Sequence, residues 1–216
     1  MILINTKNYT AGKKTLALAK KIQKHIPQAI ISVPAVDIEL LNSKTKLNIY
    51  AQHLDSEKGR ATGFLLPETA RLIGAKGTLL NHSEHPLPLK KIKEIISRTK
   101  KSKLKIVLCA STLEKVKSFI PLKPGAIAFE DKNLIGTGKS ITKYQSKKVE
   151  DFAKLLKKTK IIPLCGAGIN STEDIVAARK LGCKGVLIAS AIAKPSNSKS
   201  ADKFLKEISK IPPHFL

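Results

Sequence analysis

The stretch Ala126-Ile-Ala-Phe-Glu-Asp-Lys-Asn-Leu-Ile-Gly-Thr-Gly-Lys-Ser140 sets the pattern by which the rest of the chain is read. Its first four residues have the composition of a short parallel strand buried on both faces. The run stops on a carboxylate, Glu130. A loop follows in which Gly136 and Gly138 flank Thr137, and a helical pattern resumes near Ile141. A carboxylate at the C-terminal end of a strand, under a glycine-hinged loop able to close over it, is the layout of a base beneath a lid. Taken alone, the stretch better suits a solvated glutamate entering an ordinary turn, so the case for a base rests on the other strand ends.

Seven more apolar runs of the same kind recur: Ile2–Ile4, Ala29–Val33, Leu47–Ala51, Thr78–Leu80, Ile106–Cys109, Ile161–Cys165 and Gly185–Ala189. Most of the intervals carry apolar residues at helical spacing. Leu18, Ile22 and Ile26 recur every four residues, and Leu89, Ile92, Ile95 and Ile96 form one stripe. Val149, Phe152, Leu155 and Leu156 repeat the scheme, as do Ile175, Ala178 and Leu181. Ser171 and Thr172, followed by Glu173 and Asp174, mark the start of that last helix. The interval near 36–46 predicts a short helix, and the one near 64–76 predicts a helix opened by Pro67 and stopped by Gly74. Eight strand–helix units in 216 residues leave about 27 residues per unit, close to the minimum for a βα unit. The expected architecture is a (β/α)₈ TIM barrel forming a single domain over residues 1–216, with a doubly wound open sheet as the alternative.

Composition narrows the partners. Forty Lys+Arg against sixteen Asp+Glu give a net charge of +24, which attracts anions from phosphorylated metabolites to nucleic acid. Cys109, Cys165 and Cys183 lie in or beside apolar runs without metal-ligand spacing, so packed, reduced thiols are expected. The opening Met1-Ile-Leu-Ile-Asn-Thr-Lys lacks a signal peptide's basic region and long apolar stretch. No run approaches the roughly 20 apolar residues that span a bilayer. A soluble, cytoplasmic protein that does not engage a membrane is expected.

In a barrel the functional groups gather where the strands end. The first run ends in Asn5-Thr6-Lys7, the fourth in Asn81-His82-Ser83-Glu84 and the sixth in Glu130. The seventh ends in Cys165-Gly-Ala-Gly-Ile-Asn170 and the eighth in Ala189-Ser190-Ala191. Each has an ordinary alternative: a solvated lysine, a buried histidine satisfied by backbone, glycines in a tight turn. Small-residue loops opening helices nevertheless free backbone N–H groups for phosphate, and barrels commonly build that site after strands seven and eight. Five such positions in the correct strand order argue against coincidence.

Together Asn5-x-Lys7, Asn81-His82-Ser83-Glu84, Glu130 with Leu134-Ile-Gly-Thr-Gly138, Cys165-Gly-Ala-Gly168 and Gly185-Val-Leu-Ile-Ala-Ser190 resemble the ordered signature of the triosephosphate isomerase family. The short length and the wording Ala51-Gln-His-Leu and Thr62-Gly-Phe-Leu-Leu-Pro67 resemble its compact archaeal branch. The resemblance implies an isomerase of glycolysis and gluconeogenesis that interconverts dihydroxyacetone phosphate and D-glyceraldehyde 3-phosphate through an enediolate, with no cofactor and no metal. It implies Glu130 as the base, His82 as the electrophile and Lys7 as the stabiliser of negative charge. This family is the standard worked case of that carboxylate–imidazole pairing. Asn5 completes the oxygen-binding site, and Glu84 positions Lys7. Ile135, Gly136, Gly166, Ala167, Gly168, Ala189 and Ser190 are implied to bind the substrate phosphate.

One departure stands out. The archaeal branch usually follows its base with a Pro-Pro-Glu-like segment, where this chain has Asp131-Lys132-Asn133. A proline-free hinge has more ordering entropy to lose on closure. Lys132 and Lys139 flank the lid, where they could draw in a phosphate dianion or simply be solvated. The Asp55–Phe64 segment corresponds to the loop that reaches a neighbouring subunit in this family, which implies a homodimer or homotetramer. Another phosphate-binding barrel enzyme, and a basic non-catalytic barrel, are the competing readings. The lysines are spread over nearly every helix without interleaved aromatics, so nucleic acid is expected to bind only non-specifically, if at all.

Overall fold

Each apolar run becomes a strand, and the strands close on themselves in sequence order. The computed structural model describes residues 1–57, 59–194 and 198–212. The strands are β1 (Ile2–Asn5), β2 (Ile30–Val33), β3 (Asn48–Ala51), β4 (Gly77–Leu80), β5 (Lys105–Ala110), β6 (Ala126–Phe129), β7 (Ile162–Cys165) and β8 (Val186–Ile188). All neighbours are parallel, and β1 also pairs with β8 through Ile2↔Val186 and Ile4↔Ile188, so the sheet has no edge. This is the expected (β/α)₈ barrel; the open sheet is excluded by that closing pair.

Closure explains why the strands read as continuous apolar runs. Leu3, Tyr50, Leu79, Val107, Ala128, Leu164 and Leu187 fill the barrel's interior. The alternate residues, among them Ile4, Ile31, Ile49, Leu80, Ile127 and Ile188, point outward into a second cluster shared with the helices. Both faces of the strands are therefore largely withdrawn from water, and within them polar residues are few, Ser32 and Thr78 being buried.

The helices α1 (Lys13–His25), α2 (Ala35–Lys44), α3 (Pro67–Leu72), α4 (Leu89–Lys101) and α5 (Leu113–Phe119) follow the first five strands. After β6 come α6 (Ile141–Tyr144) and α7 (Ser146–Leu156), then α8 (Thr172–Lys180), α9 (Ser190–Ala193) and α10 (Ser198–Ile208). Pro67 opens α3, and Gly74 lies just beyond its end at φ 104, where a Cβ would overlap Asn42. Ser171 caps α8: its hydroxyl accepts the Asp174 N–H while the Asp174 carboxylate accepts the Ser171 N–H. Helix α5 gave little periodic signal over its few residues and is marked instead by its cap, Thr112, which accepts the Lys115 N–H. Cys109, Cys165 and Cys183 are buried and free. No helix among the described residues is long and apolar enough to cross a membrane.

Candidate active site

Asn5 closes β1 and organises the turn after it. Its Oδ1 accepts the Lys7 N–H at 2.9 Å and a Gln52 Nε2–H at 3.1 Å, while Gln52 also donates to the Lys7 carbonyl at 2.8 Å. These bonds hold Lys7 at φ 47, a left-handed conformation that a lysine seldom adopts. The strained backbone aims the ammonium inward, where it forms an ion pair with Glu84. The Lys7 side chain is largely buried and that of Glu84 is about half exposed.

His82 follows β4 through Asn81, which is also left-handed, at φ 60. Asn81 is bolted in place: it donates to the Cys109 carbonyl at 2.9 Å and accepts the Leu87 N–H at 2.9 Å. The Glu84 N–H donates to His82 Nδ1 at 3.2 Å. In the neutral ring the proton must then sit on Nε2, the nitrogen that faces Glu130 Oε2 at 3.6 Å. Tautomer and direction follow from one backbone bond.

Glu130 stands beyond β6 and is buried, and its Oε2 has no hydrogen-bond partner. Burial pushes its ionisation above the usual carboxylate value, against the opposing pull of His82, Lys7 and a hydrogen bond with the Cys109 thiol. The thiol is itself kept protonated by burial and by the neighbouring carboxylate. A desolvated carboxylate with an uncommitted oxygen is a stronger base than one in water.

These groups share a cavity of about 200 Å³. Lys7, His82 and Glu130 form one side; Ile135, Gly136, Ala167, Gly168, Ala189 and Ser190 form the other. Among the described residues, the N–H groups of Gly136 and Gly168 meet no protein acceptor. Ala167 and Gly168 both have positive φ, at 69 and 70, in the small-residue loop after β7. Three predicted residues stand just outside its lining: Asn5, Glu84, which pairs with Lys7, and Gly166. Asn5 braces Lys7 from below, and Gly166 packs behind the base, where a Cβ would come within 2.7 Å of Glu130 Oε1. Lys132 and Lys139 do not line the cavity either, and Lys139 instead stands 5.5 Å over the Tyr144 ring.

A profile described as triosephosphate isomerase matches residues 1–210. The chain belongs to the triosephosphate isomerase family. A triosephosphate isomerase from Saccharolobus solfataricus is 41% identical over 202 residues, which cover 90% of this chain and 89% of the relative. One from Sulfolobus acidocaldarius is 38% identical over 215 residues, with 95% and 94% covered. One from Methanocaldococcus jannaschii is 35% identical over 210 residues, with 93% and 96% covered. These relatives are archaeal, as the resemblance to the compact branch of the family implied.

Some site residues lay beyond sequence reasoning. Gln52, Cys109 and Tyr9 reach the site or its support only through tertiary contacts. Gln52 carried a faint signal as a polar residue directly after the third apolar run. Cys109 carried none, being apolar in context. Within this family's barrel the lid is also better anchored than its sequence suggested. Asp131 Oδ1 accepts the Asn133 N–H at 2.9 Å, capping a 3₁₀ turn over Lys132–Leu134, and Lys148 lies 3.8 Å from the other oxygen. At the far end, the Ile141 N–H donates to the Ala167 carbonyl at 3.1 Å and Asn170 Nδ2 donates to the Gly138 carbonyl at 2.9 Å.

Proposed function

We propose that the cavity bounded by Lys7, His82 and Glu130 carries the reaction of the family, the interconversion of dihydroxyacetone phosphate and D-glyceraldehyde 3-phosphate. The single observation that supports this most directly is the buried, unpartnered Glu130 oxygen 3.6 Å from the His82 Nε2. In this reading Glu130 removes a proton from the carbon beside the carbonyl and returns it to the neighbouring carbon. The His82 Nε2–H polarises the carbonyl oxygen and passes a proton between the two oxygens of the enediolate. The Lys7 ammonium stabilises the negative charge that develops, and Asn5 holds it in position. The phosphate lies against Ile135, Gly136, Ala167, Gly168, Ala189 and Ser190, with uncommitted amides at two of these, while Gly166 keeps room for the base.

The whole of residues 1–216 is taken as one barrel domain working in the cytoplasm, as a homodimer or homotetramer. The loop that would reach a partner has its base closed by the Asp55 N–H to Leu65 carbonyl bond at 2.9 Å and leaves Phe64 half exposed.

The test is isomerisation of glyceraldehyde 3-phosphate coupled to reduction of the dihydroxyacetone phosphate formed. Wild-type kcat/KM approaching ~10⁸ M⁻¹s⁻¹ is expected, with steep losses in Glu130→Asp and His82→Ala. Folded wild-type protein without activity above background would sink the assignment and leave a basic, non-catalytic barrel as the better account.

A further inference from the structure

The opposite end of the barrel, where the strands begin, holds a second concavity of about 490 Å³. Its lining includes Arg71, Lys76, Lys103 and Lys105 and no carboxylate. Arg71 lies in the last turn of α3, Lys76 precedes β4, and Lys103 and Lys105 lie just before and at the start of β5. Two consecutive helix-to-strand connections therefore bring four cations to one mouth. Among the described residues none of the four has an ion-pair partner.

A second feature points into the same space. Tyr50 is only 3% exposed, lines this cavity, and has no hydrogen-bond partner for its hydroxyl among the described residues. Its ring end lies against Gly77, where a Cβ would stand 2.6 Å from Cε2 and Cζ, so the chain makes room for the phenol beside Lys76. Burial pushes Tyr50 up to about 12, and the hydroxyl therefore keeps its proton at neutral pH and can donate. The hydroxyl is not among the fully buried polar atoms left without a partner, so it opens on the cavity and is free to donate to an acceptor there. Four unpaired cations around a concave floor focus a positive potential that solvation alone must offset.

We propose that this mouth is a second anion-binding site that takes a compact chain of linked phosphates, either free or as the triphosphate of a nucleotide. Linked phosphates present several charges at fixed spacing to several cations at once, and the Arg71 fork adds bidentate geometry. A polynucleotide fits less well: the ring of Tyr50 is packed among inward side chains and offers no face on which a base could stack.

The test is calorimetric titration of tripolyphosphate and of ATP into the full chain at an ionic strength of about 0.15 M. Tripolyphosphate is expected to bind with one-to-one stoichiometry. Lys76→Gln with Lys105→Gln should weaken it at least tenfold, and Tyr50→Phe a few-fold, all with unchanged isomerisation rates. Lys13→Gln with Lys20→Gln, on exposed positions of α1, should leave affinity unchanged. Binding of ATP as well assigns the site to a nucleotide's triphosphate, while binding of tripolyphosphate alone assigns it to free polyphosphate. Several outcomes overturn the proposal. Absence of binding does so directly. Equal weakening by the α1 variants would reduce it to diffuse attraction by a chain of +24 charge. Displacement by triose phosphate would move the ligand to the catalytic cavity, and tighter binding of a single-stranded oligonucleotide through Lys76 and Lys105 would make the face a nucleic-acid surface.

Discussion

Glu130 is the proposed base, and its environment makes its titration informative. Because burial raises its ionisation above the usual carboxylate value, the folded state holds a proton that the unfolded chain has already released. Stability from this group is therefore fully present below the ordinary carboxylate value, and is lost as pH rises through the raised one. Activity runs the opposite way, since only the ionised form is a base. The acid limb of kcat/KM should lie above the ordinary carboxylate range. In denaturant titrations Glu130→Gln should lose less stability than wild type between acid and neutral pH. An acid limb at the ordinary carboxylate value, with no such difference, would count against the base role. Gly166 tests placement rather than charge. A methyl there would press within 2.7 Å of Glu130 Oε1, and a shift of the carboxylate by about 1 Å costs on the order of 10²-fold in rate. Gly166→Ala should thus depress kcat far more than it raises KM, read from steady-state kinetics.

The loop after β6 is the proposed lid. Its leading hinge lacks proline, yet Asp131 sits at φ −73, close to the value a proline ring imposes. The Asp131 side chain supplies the restraint by capping the 3₁₀ turn. Losing such a cap costs about 1 kcal/mol, equivalent to roughly fivefold in an equilibrium. Asp131→Ala should therefore lower kcat/KM about fivefold with global stability in urea changed far less. Lys148→Ala should do little, because that pair is long and its lysine is exposed. Equal kinetics for Asp131→Ala and wild type would show that the hinge is ordered by other contacts. Gly168 anchors the lid's other end. It has φ +70, and a Cβ would fall 2.0 Å from the Lys139 carbonyl oxygen, so only glycine lets that segment pack against the seventh strand's loop.

At the scale of the whole molecule, charge opposes the proposed assembly. Subunits carrying +24 each repel at low salt, and the repulsion is screened beyond about 10 Å at 0.1 M. The loop closed by Asp55 and Leu65 is pinned to α4 by Lys91 at 2.7 Å from Glu57 and by Arg98 on the Glu57 carbonyl. That leaves Phe64 presented on a fixed base, 47% exposed. Sedimentation of wild type should report a dimer or larger that tightens with added salt, and Phe64→Asp should shift it to monomer and reduce activity. A wild-type monomer at every salt concentration would remove the oligomer from the account.

The eight apolar runs were legible because a closed barrel buries both faces of each strand, which leaves an unbroken hydrophobic record in the chain. The helices with a wide apolar stripe and a cap were legible for the same reason, and the short α5 and α6 less so. The ordered strand ends carried Lys7, His82 and Glu130, since a barrel converts position in sequence into position around one rim. What the chain did not record was how those groups are held. Gln52 and Cys109 act through bonds to residues far away in sequence. The left-handed turn at Lys7 and the unpartnered oxygen of Glu130 arise only when neighbouring strands fix them. The sequence thus determined the architecture and the family, and named the residues proposed to react, through patterns local to each strand and loop. Tertiary structure alone decided the tautomer of His82, the desolvation of Glu130, the bracing of the lid and the cation-lined mouth at the far end, because each depends on atoms brought together from different crossings of the barrel.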